Sequence, residues 1–364
     1  MSVVRMIQKV LRNGKERIFL VEEVESGYEG TICYVSKIDQ TLTVHKTKQL
    51  KALGDIYKPN IFRTSFDRII LALHTKHVAT IESSISVPRV HPDVLITEGE
   101  LDGLLFHALW SFLNKFRPLA AKKLNTAELD LVIANIAIFG VKLQGHTVFN
   151  PLDFSGKEIE FFFRVSFISR SLLLPLEKIA KQSHTGPIVV ERGAIFAGSI
   201  AKPGILFVVD KTNTSWYEMG NECGFRESFH WGFGDIYNAL GNTFGVSSHY
   251  STRIINKFSS HRISLRIQNI IEKVIRDEYK KFKEQADISL KSEHHELLRG
   301  EGKTVYFEDA LISSLFVSDE RYRILDNPSL LSSLVLFPYI HPQYEYLNQL
   351  LRRRAKWLVP LNNK

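Results

Sequence analysis

Cysteine is nearly absent: Cys33 and Cys223 are the only two in 364 residues, with no Cys-x-x-Cys pair and no short spacing to a histidine. That pattern argues against a disulfide scaffold or a structural zinc site and predicts two buried or idle thiols. The 13 histidines are scattered, and the His294-His295 pair lies in a polar stretch that reads as a solvated helix end or loop, so no metal is inferred. Long apolar runs are missing too. None approaches the roughly 18 residues that a membrane-spanning helix requires, and the start Met1-Ser-Val-Val-Arg-Met-Ile-Gln-Lys9 lacks the apolar core of a signal peptide, so a cytoplasmic location is expected. No low-complexity tract occurs, and 44% apolar with 24% charged residues fits a folded chain long enough for two or more domains.

The formal net charge of +8 would suit nucleic acid, an anionic membrane or neither. From Arg262 to Lys283 seven Lys or Arg residues accompany three acids, alternating with Ile263, Leu265, Ile267, Ile270, Ile271, Val274, Ile275, Tyr279 and Phe282. That alternation predicts an amphipathic helix with a polar face. Aromatics are not interleaved with the bases as stacking platforms, and no nucleic-acid motif occurs, so no nucleic-acid partner is expected.

Along the chain, residues 17–50 alternate as hairpin strands, a helix is expected over Phe66 to Leu73, and a strand over His77 to Ile81. The prolines of Val87-Pro-Arg-Val-His-Pro92 open an inserted unit. In it Thr97 and Glu100 have capping-box spacing, and Leu101, Leu104, Leu105, Ala108, Phe112 and Phe116 share one face of a helix expected to stop before Pro118. Strands at Leu129 to Phe139 and Glu158 to Phe167 complete a small α+β subdomain whose sheet edge could recruit partners. Further helices are expected at 172–182, 233–243, 247–258 and 263–283, and strands at 188–190, 205–209 and 304–307.

The segment Gly204 to Asn256 carries most information about function. A hydrophobic strand ends in Asp210, a turn Lys211-Thr-Asn-Thr-Ser215 follows, then two short strands, Gly232 and a long helical run. Lys211 could pair with phosphate, Thr212 and Thr214 offer hydroxyls, Gly232 opens a helix, and Asp210 at the strand end could cap the next turn.

These features resemble the bacterial cell-division protein FtsA family and, more loosely, its pilus-assembly relatives. The inserted stretch carries Ile138-Phe-Gly-Val-Lys-Leu-Gln-Gly-His146 and Asn150-Pro-Leu-Asp-Phe-Ser-Gly156. The second half carries Trp231-Gly-Phe-Gly-Asp-Ile-Tyr237 and Phe244-Gly-Val-Ser-Ser248. The resemblance implies an α/β actin-like fold, of the duplicated ribonuclease H-like type, with an inserted small α+β subdomain. It implies residues 1–86 as a first subdomain, 87–171 as the insertion, 172–340 as the remaining actin-like subdomains and 341–364 as a C-terminal element. It also implies Asp210 as the residue that positions metal or water, with Lys211, Thr212, Thr214 and Gly232 beside it at the nucleotide phosphates, ATP and magnesium as the cofactors, self-association, and division or pilus assembly proteins as partners.

The departures from that family bear on activity. Where its members place glycine turns beside the phosphates, this chain has Glu22-Glu-Val-Glu-Ser-Gly27, Lys211 with Asn213, and Glu308-Asp-Ala310. Carboxylates beside a triphosphate oppose its binding, so a degenerate ATPase is expected, and weak nucleotide binding through Lys211 stays open. Glu23 and Glu25 could ligate a cation or be solvated acids on a turn.

The carboxyl terminus supplies a second candidate. Tyr344, Leu347, Leu351, Ala355 and Leu358 form one stripe, flanked by Leu350 and Trp357 and rimmed by Arg352, Arg353, Arg354 and Lys356. Such a helix can lie in an anionic bilayer interface, as the family's terminal helix does, or dock on the chain's own body. The expectation is a partner-binding adaptor at the inner face of the cell membrane. An active actin-fold ATPase or sugar kinase is the competing class.

Overall fold

The computed structural model describes residues 15–24, 27–36, 42–53, 66–182, 186–200, 203–219, 224–292, 302–316, 318–325 and 344–362. Glu25, Cys223, His294 and His295 lie outside them. The chain divides into two units, Met1–Ser199 with Leu330–Lys364, and Ile200–Ser329.

In the first unit β1 (Lys15–Val24), β2 (Gly27–Ser36) and β3 (Leu42–Leu50) form an antiparallel meander. β4 (Arg68–Leu73) lies parallel to β1, and β9 (Pro187–Glu191) parallel to β4, so the sheet order is β3-β2-β1-β4-β9. The helix expected over 66–73 is therefore a strand. Ile69 to Leu73 are all buried in mid-sheet, and a short continuous apolar run is what a strand covered on both faces shows. Phe19, Val21, Leu71 and Val189 pack with Leu176 and Ile179 of α2 (Leu173–Gln182).

Between β4 and β9 the chain builds a second sheet, β5-β8-β6-β7, from β5 (Val78–Pro88), β6 (Leu131–Leu143), β7 (His146–Thr147) and β8 (Glu158–Ser169). α1 (Glu98–Lys123) lies on it, with Phe112 5.6 Å from Phe163 between ring centroids. Thr97 caps α1 by accepting from the Glu100 amide at 3.3 Å. The helix does not stop before Pro118 but runs through it. Pro118 and Asn114 are both exposed, so the carbonyl left without a partner is on the solvent side, while Ala120 and Ala121 stay buried.

A buried polar network joins the two sheets. The Thr80 amide donates to Glu191 Oε2 (3.1 Å), the Glu191 amide donates to Thr80 Oγ1 (3.0 Å), and the Val189 amide donates to Asn135 Oδ1 (2.9 Å). Lys123 pairs with Glu191, their side chains only 2% and 0% exposed. Asn135 follows a register shift in β6, a bulge of the kind that re-aims a side chain. α3 (Arg192–Ser199) leaves the end of β9.

The second unit repeats the first sheet. β10 (Gly204–Val209), β11 (Thr214–Met219) and β12 (Gly224–Phe229) are an antiparallel meander, and β13 (Gly302–Phe307) and β14 (Tyr322–Ile324) follow in parallel, giving β12-β11-β10-β13-β14. A meander extended beyond its first strand by two parallel strands, present twice in one chain, is the duplicated ribonuclease H-like arrangement, and the fold is actin-like α/β. α4 (Phe233–Phe244), α5 (Ser248–Ser259) and α6 (Leu265–Ser292) intervene, and α7 (Ala310–Ser313) follows β13. Phe207, Trp216, Trp231, Ile236, Ile255, Ile271 and Phe282 form the core. α8 (Glu345–Arg354) returns to the first unit. No helix among the described residues is long and apolar enough to cross a membrane.

Candidate functional site

Asp210 and the turn after it, the residues expected at a nucleotide, form the β10–β11 tip. The Asp210 amide donates to the Asn213 carbonyl at 2.9 Å, across the connection 210–213 between β10 and β11. Its Oδ1 then accepts from the Thr212 and Asn213 amides, both at 2.7 Å, and from the Thr212 hydroxyl at 3.3 Å. Asp210 is 7% exposed and caps its own turn. Thr214 Oγ1 is buried and donates to the Trp231 carbonyl at 2.7 Å. Thr212 Oγ1 also accepts from Asn213 Nδ2 at 3.0 Å, while Lys211 is exposed.

Gly232 is used for packing. The N-terminus of α4 sits on the hairpin tip: the Phe233 amide donates to Asp210 O (2.9 Å) and the Gly234 amide to Lys211 O (2.8 Å). A Cβ at Gly232 would lie 2.4 Å from Lys211 C and Thr212 N, and one at Gly234 2.4 Å from Lys211 O. Glycine thus permits the approach of backbone to backbone within the chain, the service it was expected to give a phosphate. The Gly232 amide is taken by Asp235 Oδ2 at 3.0 Å. A helix N-terminus binds anions through free amides, and these first three amides have partners.

At the third expected loop, Asp309 Oδ1 accepts from the Leu311 and Ile312 amides (2.9 and 3.0 Å) and its Oδ2 from the Tyr237 hydroxyl (2.7 Å). The Glu308 amide donates to Val209 O at 3.0 Å, so Asp210 and Glu308 leave neighbouring strands at the same end of this sheet. Sequence reasoning noticed the missing glycines at 308–310. The capping role follows from Asp before a helical turn, a signal that was there to read.

The first unit's hairpin is closed by distant bases. Glu22 pairs with Arg192 at 2.8 Å, and Arg192 Nη1 also donates to Glu23 O at 3.3 Å. Glu23 Oε2 accepts from the His74 amide (3.0 Å), and its Oε1 lies 3.2 Å from His77 Nε2 and 3.9 Å from Lys76 Nζ. Burial pushes the Glu22 carboxyl above its ordinary value despite Arg192, with Glu29 adding to the rise. Burial works the same way on Glu23, but hydrogen bonds from His77 and from the His74 amide outweigh it and hold the group below its ordinary value. Among the described residues no group of three or more His, Cys, Asp or Glu is arranged to hold a metal. Cys33 is buried, its thiol pushed up to about 12 by that burial and directed at Ile18 O (3.7 Å), so it is a poor nucleophile.

The carboxyl-terminal stripe faces protein rather than solvent. Tyr344, Leu347, Leu350, Leu351 and Ala355 are at most 5% exposed. Asn348 clamps the edge of β6, accepting from the Ile138 amide (2.8 Å) and donating to its carbonyl (2.9 Å). Arg352 pairs with Glu345, Arg353 with Glu98 at 3.5 Å, and Arg354 with Asp102. Trp357 is 62% exposed, 5.9 Å from the Trp110 ring; Lys356 is exposed and Leu358 half-buried. Leu347 and Leu351, which the sequence offers either to a bilayer or to the chain's own body, are spent on that body, and the sheet edge expected to recruit a partner carries Asn348 here.

No protein-family model and no curated protein sequence matches the chain. Solved structures similar to it include a PilM-PilN type IV pilus biogenesis complex (12% identity, 97% of this chain and 99% of that one, TM-score 0.44). A Bacteroides thetaiotaomicron protein with actin-like ATPase fold and unknown function is also similar (8%, 88% and 96%, TM-score 0.37). So is MreB 5 of Spiroplasma citri bound to AMPPNP (7%, 94% and 98%, TM-score 0.37).

Proposed function

We propose that this chain is an FtsA-like adaptor of a cytoplasmic-membrane assembly, cell division first and pilus assembly second, and that it acts by associating with partner proteins. The observation that supports this is the fate of the loop amides. Those of Thr212, Asn213, Gly232, Phe233, Gly234, Leu311 and Ile312 donate to the chain's own carboxylates or carbonyls. A triphosphate needs such donors unpaired and cations near them. It would instead meet Asp210, Glu308 and Asp309, with Lys211 the exposed base on the hairpin tip. The residues present therefore do not fit Mg-ATP, and no hydrolytic step is assigned to them.

Isothermal titration with Mg-ATP separates this adaptor from an active ATPase. The expected result is no saturable heat at millimolar nucleotide. A dissociation constant on the order of 10 µM or tighter, abolished by Asp210→Ala, would establish the enzyme reading instead.

A further inference from the structure

The second unit also carries a cationic surface. From Ile236 to Ile271 the sequence has no Asp or Glu, yet it has Arg253, Lys257, Arg262 and Arg266. All four are exposed on α5, on the first turn of α6 or on the link between them. No ion pair joins them to another described residue. The link is a tight elbow: His261 adopts a left-handed φ of 54°, and the Arg262 amide donates to Lys257 O at 2.9 Å, so both bases share the tip.

The tip also carries apolar groups. Leu265 is 77% exposed, Ile267 38% and Ile270 37%, while Ile255 and Ile271 anchor the same two helices at 0%. From Ser259 to Ile267 every residue but Ile263 is exposed, so the elbow protrudes and forms no groove.

We propose that the elbow joining α5 and α6 docks on an anionic bilayer surface. Bases beside aliphatic side chains on a protruding tip match what an interface of anionic headgroups over hydrocarbon attracts. An extended peptide would call for a groove. Nucleic acid would leave Leu265, Ile267 and Ile270 without a role; of the aromatics on α5, Phe258 packs against the core and Tyr250 already has the Arg253 guanidinium over its ring at 5.6 Å. The inference deepens the adaptor reading by naming the surface that meets the membrane, and rests on it only for placing the chain beside one.

The test is flotation of the full chain with phosphatidylcholine vesicles, with and without about one-third phosphatidylserine. Wild type should bind the anionic vesicles and lose binding as salt rises. Arg262→Glu with Arg266→Glu should weaken binding by at least about tenfold, since each base near such a surface is worth about fivefold. Leu265→Gln, which keeps the charge, should weaken it a few-fold, and Trp357→Ala on the terminal helix should leave it unchanged. Circular dichroism of each variant should match wild type, because the altered side chains are exposed.

Absent wild-type flotation, equal binding to pure phosphatidylcholine, or full binding by the folded double variant overturns the proposal. So does duplex DNA binding that the elbow variants abolish while vesicles stay unbound. None of these results bears on the nucleotide titration, so the adaptor reading survives or fails separately.

Discussion

The two five-stranded sheets have one strand order and two ways of finishing. In the second unit the β10–β11 tip is closed locally: Asp210 caps its own turn, and the backbone of α4 rests on it through two glycines. In the first unit the corresponding hairpin and the edge strand β9 are secured from far along the chain, Arg192 on Glu22, His77 on Glu23, and Lys123 with Thr80 on Glu191. Apolar strands set the order in both sheets. A handful of polar side chains decides whether the loops at the strand ends are open to a ligand or closed on themselves.

If long-range ties hold the first unit, Glu191→Ala should have the largest effect. It leaves Lys123 charged in a nearly dry site and strips the Thr80 amide of its acceptor, a loss of about 3 to 5 kcal/mol. Urea unfolding reads it, and replacing both members (Lys123→Met with Glu191→Leu) should recover much of the loss. A change under about 1 kcal/mol would break the comparison. Gly232→Ala probes the other side. Its Cβ would overlap the Lys211–Thr212 backbone, and overpacking of this kind costs about 3 kcal/mol at the upper end of its usual range. Hydrogen exchange should then rise at the Thr212, Asn213, Phe233 and Gly234 amides, and unchanged exchange there would mean that the tip does not depend on this approach.

What the sequence made legible follows the range of the interactions. Ile205 to Val209 and Thr304 to Phe307 read as strands because both are short and rich in β-branched and aromatic residues, and α4 to α6 as helices because their apolar residues recur at helical spacing. Residues 68–73 defeated the same logic, since a short apolar run has no period of its own. Asp210 was placed correctly at a strand end, but whether its carboxylate faces a ligand or its own turn depends on the turn geometry. The terminal helix shows the limit most plainly. Leu347 and Leu351 make the same stripe whether lipid or protein covers them, and the Asn348 clamp on Ile138 joins positions 210 apart, which no local pattern announces. The Arg192 pairing with Glu22 was hidden for the same reason.

The smallest effect is the sharpest probe of how the first hairpin is closed, because its sign alternates between neighbours. Glu23 has a folded value below the ordinary 4.5, so its contribution is present above that pH and is lost as pH falls through the folded value. Glu22 has a folded value above 4.5, so its contribution is present in full below 4.5 and is lost as pH rises through the folded value. Thermal midpoints of Glu23→Gln should therefore fall below wild type by the equivalent of about 1 kcal/mol at neutral pH and converge with it in acid. For Glu22→Gln the difference should move the opposite way with pH, wild type gaining on the variant as acid is added. If Glu23→Gln matched wild type at neutral pH, Glu23 would not be held by His74 and His77, and the first hairpin would be as open at its acidic end as the sequence alone makes it look; if instead the Glu22→Gln difference moved with pH in the same direction as that of Glu23→Gln, the Arg192 pair would outweigh burial at Glu22.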